Sequence, residues 1–444
     1  MDSLRVLSDI PDAPGRLPGV GHLVAMSRAW PKLLREVAGG GEPLVRLRMP
    51  FGSDIYLWPR PEAHALLLDR ELSSVGSAEL GAIIIGHTSM LSSDGADHRR
   101  RRASSSAPFT PKGLSMTGVS AVIAEVVGRR IPAMIERGQV RVLDETQALS
   151  LEVLFRVLGV PGDELDEWVS RYAIMVRGVL TPEWNIPGMP YRRAMKARAW
   201  VDERLAQHID AARRDSESTG LIAELVRGRD EDGAGLDTTE LFDNLRLLVL
   251  AGHETTASIM AWMVAYLVEH PALHRRLLDE ARASEGLPLT PKALRAYPLA
   301  EALFRECLRL HPPISFVTRT TLAPTTAAGY AIPADVVLGV PLWLFARDGE
   351  AFADPERFDP DRWIRDQRKL TPVELSAFGG GSHFCLGYNM ALVEGVQFIV
   401  ALVRQLEAAG VRPQMDGFPR ETYLPMVRPR AADTVCRFAR SPTR

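Results

Sequence analysis

Phe378-Gly-Gly-Gly-Ser-His-Phe-Cys-Leu-Gly387 decides how the rest of this chain is read. One cysteine, Cys385, stands behind three consecutive glycines and ahead of Gly387, and the apolar run from Tyr388 to Leu402 predicts a helix starting directly after it. Glycine permits φ > 0 and close approach of the main chain to a flat ligand. A thiol near exposed N–H groups, at the positive end of a helix, has its ionised form favoured. A zinc site needs four ligands, usually clustered as C-x-x-C pairs, and this sequence has no such pair. A haem already supplies four nitrogens and needs only an axial ligand, a role that a thiolate fills. The other reading of such a cysteine is a small inert hydrophobe packed in a glycine-rich turn.

The rest of the composition narrows the class. The 444 residues are 46% hydrophobic and 24% charged, ordinary for a soluble globular protein. Length alone suits two or three domains, but no repeat, low-complexity tract or linker divides the chain. One unit over residues 1–444 is expected, with a breaker-rich lead-in over 1–22. A net charge of -2 implies no general attraction to nucleic acid. The cysteines are Cys307, Cys385 and Cys436, an odd and sparse set that points to a reducing compartment. Residues 1–10 carry no long apolar run, so neither a signal peptide nor a membrane anchor is expected there, and the cytoplasm is the expected location.

A second stretch, Asp237 to Glu269, reads as one long helix. Asp237 is a good N-cap with Glu240 three positions on, and Pro271 closes the far end. From Leu247 to Leu267 it is apolar nearly all round, as in a helix buried in a core. Ala251-Gly-His-Glu-Thr-Thr256 interrupts that run, and polar residues there need a reason. Thr255 can back-bond to a carbonyl four residues earlier. Gly252 costs helix stability unless something packs against it.

A third stretch, Ala300 to Pro313, is a helix ended by proline, on which Glu306 and Arg309 face one another. Further back, Leu44–Arg48 and Asp54–Trp58 read as a hairpin. In Asp97-His-Arg-Arg-Arg-Arg102, His98 and Arg102 share a helix face and suit carboxylate ligands. Arg99, Arg100 and Arg101 fit either a solvated charged face or a docking patch for an acidic redox protein.

Together these motifs resemble the cytochrome P450 superfamily. Phe378, Gly381, Cys385 and Gly387 match its haem-binding loop. Ala251–Thr256 matches its (A/G)-G-x-(D/E)-T-(T/S) motif, and Glu306 with Arg309 matches its E-x-x-R. The resemblance implies a mainly α fold with smaller β-sheets, enclosing haem b between a long distal helix and the cysteine loop. Cys385 is then the axial ligand. His98, Arg102, Arg319 and His383 contact the propionates. Ala251 leaves room for dioxygen, while Thr255 and Glu254 handle it and its protons. Arg357 joins Glu306 and Arg309 in a structural triad.

The implied reaction is monooxygenation of an apolar small molecule. Electrons come from NAD(P)H through ferredoxin and its reductase, or through flavodoxin. Residues 79–90 hold the place of a flexible loop over the substrate, which puts Ile84 and Ile85 in its pocket, although a buried strand fits them equally. Stacking back from Ala251 adds Leu247, Leu248 and Asn244, the last as a polar anchor. Family position adds Val317 and Met426. Ile186–Arg198, with two prolines and a glycine, resembles the turn before a mobile lid helix. A peroxide-driven peroxygenase and a non-catalytic haem sensor are the competing readings, and the intact Glu254–Thr255 pair speaks against both.

Overall fold

The structure is a computed structural model and describes residues 4–50, 53–77, 82–178, 181, 184–365 and 369–440. Its axis is the helix Thr238–Glu269. The Asp237 carboxylate accepts from the N–H of Glu240, and Glu240 accepts in return from the N–H of Asp237, at 2.8 and 3.0 Å. That capping box satisfies two backbone donors that a helix start leaves open. The far end gives way to a new helix, Pro271–Ala283, with proline in its first turn. Apolar on all sides, the central helix is surrounded. Val142–Leu158 runs along one face, and Tyr388–Ala408 and Pro298–Leu310 pack on others. A Cβ on Gly252 would lie 3.0 Å from Leu154, so this glycine sits where the helix Val142–Leu158 presses close.

Strands are few and lie to one side. A five-stranded sheet runs in the order Val45–Leu47, Ile55–Leu57, Val337–Val340, Val317–Thr321, Leu72–Ser73. The first two strands are the expected hairpin, with Val45 opposite Leu57. Smaller sheets join Arg5–Val6 to Tyr330–Ile332, and Gln139–Arg141 to Val435–Arg440. The mainly helical class with small sheets is therefore as the sequence implies. Thr238–Glu269 and Tyr388–Ala408 are long and apolar enough to cross a membrane, but 67% and 78% of their apolar windows lie buried inside the fold.

Two local expectations change. Residues 79–81 lie outside the described residues, but Ala82–Ile85 forms a short helix rather than a strand. The segment beyond this helix is pinned. Thr88 donates to Asp243 from its N–H at 2.9 Å and its hydroxyl at 2.6 Å, and Arg246 Nε donates to the Ile84 carbonyl at 2.6 Å. The break before the next long helix ends at Pro190, which opens Pro190–Arg214, so Tyr191–Arg198 is helical. Proline in a first helical turn loses no hydrogen bond there.

Candidate active site

Cys385 sits in a loop folded back on itself. Its N–H donates to the Phe378 carbonyl at 2.9 Å. Gly381 has φ +62, and a Cβ there would come 2.2 Å from the Leu67 carbonyl oxygen, so that position admits only glycine. Gly387 caps the helix Tyr388–Ala408, and the N–H groups of Gly387 and Tyr388 donate to the Cys385 sulfur. Burial pushes the thiol up, and those two donors and the Arg102 charge pull it back down. Phe378 lies edge-on to Tyr388, centroids 4.7 Å apart. Cys307 and Cys436 are fully buried, and burial pushes both thiols up.

Next to the loop, a polar cluster gathers side chains distant in sequence. His98 and Arg102 lie on the helix Gly95–Ser106. The His98 ring is 4.0 Å from that of His383. Arg102 donates to the Phe384 carbonyl at 2.6 Å. Arg319 is buried, with one bond to the Thr318 carbonyl at 2.9 Å. Asp94, which sequence reading missed, meets His383 Nε2 at 3.2 Å and accepts from Ser73 at 2.6 Å. Burial, His383 and Arg102 drive the His98 pKa down to about 4, and His98 Nε2 has no partner among the described residues.

Burial lowers both arginines as well. Of the two guanidiniums and two imidazoles in the cluster, only His383 is bonded to the Asp94 carboxylate, while Arg102 and Arg319 meet backbone carbonyls. Such a set fits a ligand bearing two carboxylates, which haem is, and the Cys385 sulfur fits an axial position beside it.

The central helix contributes its own notch. From Thr256 to Leu267 every residue is buried, yet Ala251 is exposed and Gly252 and Thr255 are half-buried. The Thr255 hydroxyl donates to the Ala251 carbonyl at 2.7 Å, so its lone pairs face outward as acceptors. Glu254 accepts from Gln147 at 2.9 Å and Arg428 at 3.1 Å. Neither partner was legible, since each belongs to a different segment. His253 points away into the core, buried and held neutral by burial.

The expected pocket residues separate into two groups. Leu247, Ile84 and Ile85 are buried, while Leu248, Val317 and Met426 are half-buried. Met426 precedes Val427, whose N–H donates to the Pro313 carbonyl at 2.9 Å. Asn244 is a correction. Its amide donates to the Glu240 carbonyl at 2.7 Å and accepts the Met90 N–H at 2.9 Å, and the side chain is fully buried between these partners.

Arg357 is a second correction. Buried Glu306 accepts from Arg309 at 2.7 and 2.8 Å, the Asp359 N–H at 2.8 Å, Trp363 at 2.9 Å and Arg362 at 3.2 Å. The third member of the triad is therefore Arg362. The turn starting at Asp354 (φ 48) leaves the Arg357 side chain exposed, and only its carbonyl faces in, accepting from Arg309 at 3.0 Å. The docking-patch reading also shrinks. Arg100 and Arg101 both pair with Glu240 of the capping box, the latter at 2.8 Å, and only Arg99 stays exposed. Arg305, on the same helix as Glu306, donates to the Tyr388 hydroxyl at 2.8 Å, three residues past Cys385.

A thiol presented at a helix start, a carboxylate-binding cluster beside it and an acid–alcohol pair on a buried helix define a haem-thiolate oxygenase. The chain belongs to the cytochrome P450 family, whose family model matches residues 11–416. It is 36% identical over 421 residues to cytochrome P450 BJ-4 of Bradyrhizobium diazoefficiens, covering 93% of this chain and 92% of that one. It is 31% identical over 408 residues to cyclooctat-9-en-7-ol 5-monooxygenase of Streptomyces melanosporofaciens, covering 88% and 87%. Its fold superposes on the retinoic acid bound cyanobacterial CYP120A1 with a TM-score of 0.84 at 20% identity, over 98% of this chain and 99% of that one. The protein is a monooxygenase of this family.

Proposed function

We propose that the protein hydroxylates, or otherwise oxidises, an apolar small molecule, with Cys385 as the axial ligand of haem b. The observation that carries this reading is the cluster of two guanidiniums, Arg102 and Arg319, and two neutral imidazoles, His98 and His383, beside a sulfur that accepts two backbone N–H bonds. In this reading Arg102 and Arg319 hold the propionates and His98 Nε2 donates to one of them. Phe378 and Gly387 shape the cradle. The haem supplies dioxygen binding and the two-electron oxidation of substrate.

The chain's own residues supply the protons and the shape. Thr255, its O–H committed to Ala251, accepts a hydrogen bond from a water or from the bound ligand. Glu254, held through one carboxylate oxygen by Gln147 and Arg428, relays protons from bulk solvent once it leaves both partners and turns toward Thr255. Ala251 keeps the notch open, and Leu247, Leu248, Ile84, Ile85, Val317 and Met426 give the substrate an apolar wall. Electrons come from NAD(P)H through a ferredoxin or flavodoxin, and the setting is cytoplasmic. The likeness to a cyclooctat-9-en-7-ol monooxygenase favours a mostly hydrocarbon substrate of the terpenoid kind.

The test is Thr255→Ala. With a substrate found by its blue shift of the Soret band, the variant should consume reductant at a comparable rate but release peroxide in place of product. Fully coupled turnover would refute the role given to Thr255.

A further inference from the structure

Past the active site, the central helix carries a second chemical assembly that oxygen activation does not use. Tyr266 lies eleven residues beyond Thr255, about 16 Å further along the helix axis. Its hydroxyl is 2.8 Å from His311 Nε2, and His311 Nδ1 is 2.5 Å from a carboxylate oxygen of Glu421. All three groups are shielded from solvent, and Glu421 is also hydrogen-bonded to Tyr423.

The protonation pattern follows from the partners. Burial works to raise the Glu421 pKa, but the hydrogen bonds from His311 and Tyr423 and the Arg347 charge hold the group low, while burial lowers His311 and keeps its ring neutral. An ionised carboxylate only accepts, so Nδ1 carries the imidazole proton and Nε2 accepts from the Tyr266 hydroxyl.

Around this triad the rings stack. Trp262, one turn nearer Thr255, lies on His311 with centroids 3.9 Å apart and planes 12° from parallel. Tyr266 lies on Phe358 at 3.8 Å and 4°. Phe418 is 4.9 Å from Tyr266 and 40% exposed. The rings thus run from the buried middle of the helix to the surface. A hydrogen bond that only pinned two helix ends would need neither the carboxylate behind His311 nor this stack.

We infer that Tyr266 is a redox-active tyrosine that drains oxidising equivalents from the haem when no substrate consumes them. The inference rests on family membership and not on the substrate proposed above. One electron would leave the Tyr266 phenol, by way of Trp262, for the oxidising equivalent that a bound haem would supply. The phenolic O–H bond breaks and an Nε2–H bond forms on His311. The resulting imidazolium is held against Glu421, and a neutral phenoxyl radical remains. A thiol or ascorbate at the surface returns the electron, and Nε2 returns the proton. Without an acceptor for its proton a buried phenol would have to become a cation, which burial disfavours.

The test uses substrate-free, haem-loaded enzyme mixed with a peracid, frozen within milliseconds and read by electron paramagnetic resonance. The wild type should show a neutral tyrosyl signal. Tyr266→Phe keeps the ring stack and should lose the signal, bleach faster under peracid and keep its reductant-driven turnover. Glu421→Gln should weaken the signal with the haem spectrum unchanged. A tyrosyl signal of full intensity in Tyr266→Phe, or none in the wild type while the peracid is consumed, would overturn the inference.

Discussion

Replacing Glu394 by glutamine should stabilise the protein, and increasingly so as pH rises. Glu394 lies on the helix after Cys385, buried, with one carboxyl oxygen unpartnered among the described residues and the Ser150 hydroxyl as the partner that moderates it. Burial raises its pKa from an ordinary 4.5 to about 8. The folded state therefore keeps a proton that the unfolded state has lost. Below pH 4.5 both states are protonated and nothing is lost. Between pH 4.5 and 8 the unfolded chain ionises alone, and stability falls as pH rises. A shift of this size corresponds to about 5 kcal/mol once pH exceeds the folded value, at about 1.4 kcal/mol per unit.

Glutamine is neutral in both states and can still donate to Ser150. The assay is urea unfolding of the wild type and Glu394→Gln at intervals from pH 5 to pH 9. The variant's advantage should be small at the acid end and grow to a few kcal/mol by pH 8, since relaxation around the site takes up part of the full value. An infrared band from a protonated carboxyl at neutral pH should be absent from the variant. A stability difference independent of pH, or one that narrows as pH rises, would refute the reasoning.

Other expectations rest on single contacts. Arg362→Ala should cost about 3–5 kcal/mol, because a buried carboxylate loses a charged partner, and should lower haem content per chain. Arg357→Ala should change stability by less than about 0.5 kcal/mol, as at ordinary surface positions. Equal losses from both would reverse the assignment. Asn244→Ala leaves the Met90 N–H buried without a partner and should cost about 1–3 kcal/mol in urea unfolding. Arg99→Glu should slow reduction by an acidic ferredoxin at low salt, with thermal stability unchanged. Arg101→Glu should instead lower the melting temperature, because it opposes Glu240.

The sequence displayed those parts of the site whose geometry is local. Cys385 with its glycines, the Asp237–Glu240 box and the Glu306–Arg309 pair are each set by spacing within one loop or one helix. Partners across long separations were not legible. Arg357 and Arg362 sit five residues apart in one loop-rich segment, and only the turn at Asp354 decides which guanidinium faces Glu306. The arginines at 100 and 101 read as a surface patch because Glu240, which neutralises them, lies some 140 positions on. Asn244 had the helical phase of a pocket residue, but the Met90 N–H claims it. Glu394 and the Tyr266–His311–Glu421 chain carried no local signal, since burial alone gives them their character.

The central claim is that Cys385 presents an ionised sulfur to haem iron. Its most direct test is the absorption spectrum of the reduced, haem-loaded protein under carbon monoxide. The account predicts the strongly red-shifted Soret band of thiolate ligation in the wild type and its loss in Cys385→Ser. A native, haem-replete wild type without that band, or a Cys385→Ser variant that keeps it, would contradict the account.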